Sequence, residues 1–433
     1  MRKATGAVRL VMKNVFYMGF TVQICLGLVW MVGNLPKKQD FPLVEGGVYS
    51  LLAKAVGEVS WPVCLLQLFL ALYAGYRLLK AMRVKGRAMR VFGSLALMTL
   101  PMAMQCHMAL LPYSLVCSAE LLKLSFVCGM TGKKADCCWR ELVGLLACYA
   151  VQVLLWPGYW MPGAILPLLM LLWREPGMLR NRKVRLKGCV LALCLAIAAA
   201  GGYGLHRVES SNGEGSWRWA LVKRVCWPTL WVDFDRMPEE IQEAVRDVIW
   251  ISAHYPNHMD LYFKPAVDEA MAREDTEAAL KQMAVQSWRV HYPMIVRQIG
   301  WDVLGYSVTP LVLPQQLAGQ AYDSCSGRNY EIMRNRMPVL TKYYVYLACW
   351  WYGMSLGIAL IAVVMSMIAE PRKRKEAAVY RFPVSAVLFS AAVTVLFFTM
   401  QGAGVMDYKY TVWVNQLWIL FGIAAVSKKE DAA

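Results

Sequence analysis

Acidic side chains are scarce in this chain of 433 residues, where 29 Asp and Glu face 46 Lys and Arg and leave a net charge of +17 at pH 7. Such a basic excess would suit nucleic acid, yet no helix-turn-helix, zinc-finger or RNA-binding signature accompanies it, so no nucleic-acid partner is expected. No CxxC pair with a second CxxC or with His partners exists, which removes the usual zinc spacing, and no metal or cofactor is implied. No nucleotide-binding loop, GxSxG elbow, HExxH helix or Ser-x-x-Lys pattern survives inspection. Strand-like alternation is missing too. The basic start, Arg2, Lys3, Arg9 and Lys13, resembles a signal peptide, but the apolar run after it is about 20 residues long and has no Ala-x-Ala-like exit; it reads as a first span.

What is abundant is apolar surface: 58% of the residues are hydrophobic or aromatic, above the roughly 45–50% of soluble domains. Most of the thirteen Cys fall singly in apolar runs, as at Cys25, Cys64, Cys106, Cys148 and Cys194, where they act as small hydrophobes. Cys226 and Cys325 lie instead in the one large polar segment, where a disulfide between them is an open alternative.

A run of about 18 or more residues nearly free of charge has the length of a membrane crossing. Such runs cover Asn14–Gly33, Trp61–Leu79, Gly188–Leu205, Val339–Ala369 and Phe382–Met400, with a last span ending before Lys428. Residues 91–130 are too long for one crossing and are broken by His107 and Pro112, so they are expected to form two spans with a tight outer turn. Leu142–Trp156 and Met161–Trp173 form a second hairpin about Pro157 and Gly158. The short loops holding Lys80, Arg83, Lys85, Arg87 and Arg90, then Lys133, Lys134 and Arg140, then Arg174 to Lys187, alternate in phase with these spans, as cytoplasmic loops should. The fold class is therefore all-α: a polytopic membrane helix bundle of about ten transmembrane helices, in the cell membrane, with both termini cytoplasmic.

Residues 206–338 break the pattern. They carry 14 Lys plus Arg against 17 Asp plus Glu, so the whole positive excess lies elsewhere. Three regions follow: 1–205 with about seven spans, 206–338 as an extracytoplasmic helical domain, and 339–433 with about three spans. Pro238 before Glu239 and Glu240 signals a helix start, and the stretches 260–273 and 276–306 keep helical spacing. Tyr343, Tyr344, Tyr346, Trp350, Trp351 and Tyr352 crowd one end of span eight, where aromatic rings make an interface belt or a sugar-stacking platform.

The first outer loop reads Gln39-Asp40-Phe41-Pro42-Leu43-Val44-Glu45-Gly46-Gly47-Val48-Tyr49. An acid there, followed by Tyr and a short amphipathic stretch, resembles the start of GT-C-type membrane glycosyltransferases, as does the placing of the large outer segment. The resemblance implies transfer of a sugar from a polyprenyl-phosphate-linked donor to an extracytoplasmic acceptor, with Glu45 as general base and Asp40 as second choice. Glu45 lacks the adjacent second acid of that family, and His107 stands where another acid is usual. The stretches Gly327-Arg328-Asn329-Tyr330 and Pro338–Tyr344 resemble bacterial membrane proteins built on the same plan, a likeness that implies no activity.

A departing lipid phosphate gains charge, so cations at the outer headgroup level would assist it. His107, Arg328, Lys342, Asp407 and Lys409 are the substrate-binding candidates on this reading. Glu120 and Lys123, three apart in span four, form the other functional flag: a neutralised pair that packs the bundle, or part of a translocation pathway. Membrane lipids are partners on either view. The sequence thus leaves two functions, a GT-C-like glycosyltransferase or a non-enzymatic transporter or envelope-assembly protein.

Overall fold

The computed structural model describes residues 2–34, 48, 61–108, 112–130, 139–178, 182–210, 225, 235, 239, 242, 274–312, 337–368, 371–400 and 411–426. These residues are helical, with no strand among them. In chain order the helices are α1 (Arg2–Asn34), α2 (Trp61–Ala81), α3 (Arg87–Met98), α4 (Pro101–Met108), α5 (Tyr113–Met130), α6 (Trp139–Leu155), α7 (Trp160–Met178), α8 (Arg182–Ser210), α9 (Glu274–Ser307), α10 (Thr309–Val312), α11 (Pro338–Ile368), α12 (Pro371–Met400) and α13 (Val412–Val426). Pro opens α4, α11 and α12, where its missing N–H falls on a position that has no helical partner.

Six stretches are long and apolar enough to cross a membrane: Asn14–Asn34, Trp61–Ala81, Tyr113–Met130, Gly188–Leu205, Val339–Ile361 and Pro383–Met400. Pro157–Leu172 and Val412–Ile423 are shorter apolar helices. The stretch 91–130 departs from its expected form. Its first half is α3 and α4, bent by 77° at Thr99–Leu100, a bent span or a re-entrant loop, and only α5 is a straight crossing. The helices also separate between Met108 and Tyr113, where His107 and Pro112 led a break to be expected; the further bend stands before Pro101, which lacks the N–H that would carry α3 on through Leu97.

The chain divides into two compact units, Met1–His206 with Val308–Thr394 and Tyr408–Ala433, and Arg207–Ser307 with Val395–Asp407. In the first unit α5 is the central helix, with 67% of its span buried against 22% for α8. Helices α2 and α6 flank α5, α3 lies along α2, and α11 packs between α1 and α13. Trp30, Leu68, Met98, Met104, Met108, Tyr344 and Ala348 make one core cluster that ties α1, α2, α3, α4 and α11 together. Large apolar side chains left outside, such as Phe69, Leu193 and Ile197, give the outer surface the character that lipid requires.

The aromatic crowd on α11 divides by face. Tyr343 and Trp350 are exposed, as a belt would be, whereas Tyr344 and Tyr352 are fully buried and donate to the Thr99 carbonyl and to Asn415 Oδ1. Helical spacing explains the split, since neighbours in sequence point about 100° apart.

In the second unit α9 carries a kink at His291 (φ −113°, ψ 16°), two residues before Pro293. Met283, Ile295 and Tyr306 are among its buried side chains, and the buried Ser287 donates to the Val225 carbonyl. The expected stretch 260–273 and the Cys226–Cys325 pair lie outside the described residues.

Candidate functional site: a broken helix beside a buried ion pair

A helix broken inside a bilayer exposes carbonyls that no water can meet, so the protein must supply donors. Pro101 cannot donate to Leu97, four residues back; Gln416 on α13 does so instead, Nε2 to O at 3.0 Å. Gln23 on α1 donates to the Ala96 carbonyl at 3.0 Å, and the Tyr344 hydroxyl donates to that of Thr99. At the far end of α4, all of whose residues are buried, Gln67 donates to the His107 carbonyl at 3.0 Å and the Cys64 thiol to that of Met108 at 3.2 Å. Side chains of α1, α2, α11 and α13 thus close the backbone of one short buried helix.

Gln416 also accepts a hydrogen bond from the Cys117 thiol at 3.2 Å. Cys117 lies on α5 one turn before Glu120, which links the break to the second feature. Glu120 Oε1 is 2.6 Å from Lys123 Nζ, and both side chains are completely buried. The contact is one of opposite charges. The Tyr159 hydroxyl shares this space with Glu120, Thr394 and Trp413, and Lys123 Nζ stands 5.9 Å from the centre of the Tyr159 ring.

Lys123 has a further task. Its Nζ donates to the Gly163 carbonyl at 2.9 Å, and the residue four beyond Gly163 is Pro167, which has no N–H to give. The lysine therefore fills a vacancy that proline opens in α7. Gly163 must be glycine for the approach: a Cβ there would stand 2.9 Å from Tyr149 and 3.0 Å from Tyr159. The spacings Leu97–Pro101 and Gly163–Pro167 are visible in the sequence, and each marks a carbonyl needing a side-chain donor; the sequence reading above passed over both.

No family model, curated protein or solved structure matches the chain. Function is therefore read from the site alone.

Of the residues that the glycosyltransferase resemblance implicated, Glu45, Asp40, Arg328, Asp407 and Lys409 lie outside the described residues. Lys342 is exposed on α11. His107 is 1% exposed, with Nδ1 2.7 Å from Ser114 Oγ and Nε2 unmet by any hydrogen bond among the described residues. Gly353-Met354-Ser355-Leu356-Gly357 spells GxSxG, but it lies within α11, where there is no strand-to-helix turn to present a nucleophile. Ser355 instead donates to the Trp418 carbonyl at 3.4 Å. Among the described residues no group of His, Cys, Asp and Glu is placed to hold a metal ion.

Proposed function

We propose that this chain is a non-enzymatic polytopic membrane transporter whose working centre is the Glu120–Lys123 pair beside the α3–α4 break. The observation that carries the reading is the pair itself: two opposite charges, 2.6 Å apart and completely buried, in a helix long and apolar enough to cross a membrane. Stability alone is a weak reason to keep such a pair, because the desolvation of two buried charges offsets most of their attraction. Ionisable groups inside a membrane mark substrate or ion paths, and broken helices line such paths in transporters. Ten crossings, with both termini and residues 80–90 on the cytoplasmic side and 206–338 outside, accord with the alternation of Lys and Arg in the loops.

A transporter must open its centre to water in some state, and Cys117 is a native reporter one turn from Glu120. Site-resolved mass spectrometry after N-ethylmaleimide treatment of membrane vesicles, with and without an imposed pH gradient, measures this. Cys117 is expected to label at a rate that changes with the gradient and with Glu120→Gln. A Cys117 that stays unlabelled throughout overturns the proposal; sugar transfer abolished by Glu45→Gln would restore the glycosyltransferase reading.

A further inference from the structure

Beyond its kink, α9 wears its apolar side chains outward. Met294, Arg297, Trp301 and Leu304 follow one another at spacings of three, four and three residues, so they share a stripe, and all four are exposed, Trp301 by 58%. Buried Ile295, Asp302 and Tyr306 keep the same kind of spacing on the other side. A helix washed by water has the reverse order, with its polar side out. From residue 278 to residue 301 the sequence carries Lys281, Arg289 and Arg297 and no Asp or Glu; Asp302, the next acid, is the buried one.

The length of the peptide chain limits where this stripe can be. Ser307 ends α9, and two residues on, the Thr309 N–H donates to Asn415 Oδ1 at 3.0 Å, which also accepts from the Tyr352 hydroxyl at 3.1 Å. Leu311 lies beside Gly353, where a Cβ would stand 3.1 Å from it, and is itself an exposed apolar side chain. The candidate crossing of α11 is Val339–Ile361, so Tyr352 and Gly353 are within about 5 Å of its middle at 1.5 Å per residue. Thr309 is thereby seated near mid-depth of that crossing. Trp301 is six helical residues before Ser307, about 9 Å, and the two residues to Thr309 add at most about 7 Å. By any course Trp301 stays within about 16 Å of Thr309 and Leu304 within about 12 Å, against about 15 Å for half the hydrocarbon. Arg297, one turn further back, can reach about 22 Å, the level of the headgroups.

We infer that the C-terminal half of α9 is sunk into the outer leaflet, with Met294, Trp301 and Leu304 against phospholipid and Arg297 at the headgroup phosphates. A partner helix would suit the same spacing, but at this depth the medium around an exposed side chain is lipid, as it is for Leu311. Tryptophan prefers the border of the hydrocarbon, and arginine lays its stem along apolar surface while its fork donates to phosphate oxygens. Since α9 is not among the helices apolar enough to cross, it enters the bilayer without spanning it. The inference rests on the span assignment proposed above and not on transport.

Photo-crosslinking of the full chain in phosphatidylcholine vesicles tests it, with one probe lipid carrying a diazirine in its acyl chain and another carrying it on the headgroup, and with adducts located by peptide mass spectrometry. Phe69, exposed on the candidate crossing α2, is the standard for the acyl-chain probe. Trp301 and Leu304 should carry acyl-chain adducts at yields comparable to Phe69, and the peptide from Met294 to Arg297 should carry headgroup adducts. Adducts on Phe69 with none on Trp301 and Leu304 overturn the inference while the spans stand, whether the two residues are oxidised by hydroxyl radicals, as side chains in water are, or escape both reagents, as beneath a protein partner. An unlabelled Phe69 would remove the span assignment, and the inference with it.

Discussion

Replacing Lys123 by Met strands two buried groups at once. Glu120 loses the ammonium 2.6 Å away, and Gly163 loses the donor that its helix lacks because of Pro167. Removing one partner of a buried pair typically costs about 3–5 kcal/mol, and an unmet carbonyl between membrane helices adds about 1 kcal/mol. Glu120→Gln should cost about 3 kcal/mol by leaving the ammonium group against the Tyr159 face and one carbonyl. The double variant strands no charge and should lose only about 1–2 kcal/mol, less than either single variant. Reversible unfolding in mixed micelles, followed by far-ultraviolet circular dichroism, gives the double-mutant cycle. A double variant whose loss equals the sum of the two single losses would refute the coupling, and with it the pair as a unit.

Pro167→Ala returns an N–H to α7, so Lys123→Met in that background should recover about 1 kcal/mol in the same unfolding assay. Gln416→Leu leaves the Leu97 carbonyl without its donor, and a loss of about 1–3 kcal/mol is expected; an unchanged midpoint would show that the break needs no closure from α13. Gly163→Ala drives a methyl group into Tyr149 and Tyr159 and should cost about 1–3 kcal/mol by the same measure. Glycosylation-tag mapping should place residues 80–90 and residues 206–338 on opposite sides of the membrane, and a common side would contradict the span assignment.

The straight spans were legible because hydropathy is a sum over about 20 residues and tolerates error at single positions. Asn14–Gly33, Trp61–Leu79 and Gly188–Leu205 each agree with a candidate crossing within two residues. The bent segment was harder to read, since Met98 to Met108 is as apolar as a crossing and its course depends on three donors distant in sequence: Gln23, Tyr344 and Gln416. Pro112 and His107 mark the separation of α4 from α5, whereas Pro101 marks the bend. For the site, spacing showed that Glu120 and Lys123 share a helix face, whereas the tie to Gly163 needed the packing of α7 against the rest of the bundle. The residues of the glycosyltransferase resemblance rested on loop composition, which says little about where a loop lies.

The donors that close the α3–α4 break come late in synthesis: Tyr344 is 245 residues beyond Thr99, and Gln416 is 319 beyond Leu97. While the ribosome is still making the middle of the chain, the Leu97 and Thr99 carbonyls therefore lack the donors that meet them in the finished fold. Truncation before α13 removes the Leu97 donor, and such a chain should be degraded faster than the full-length one in a pulse-chase experiment.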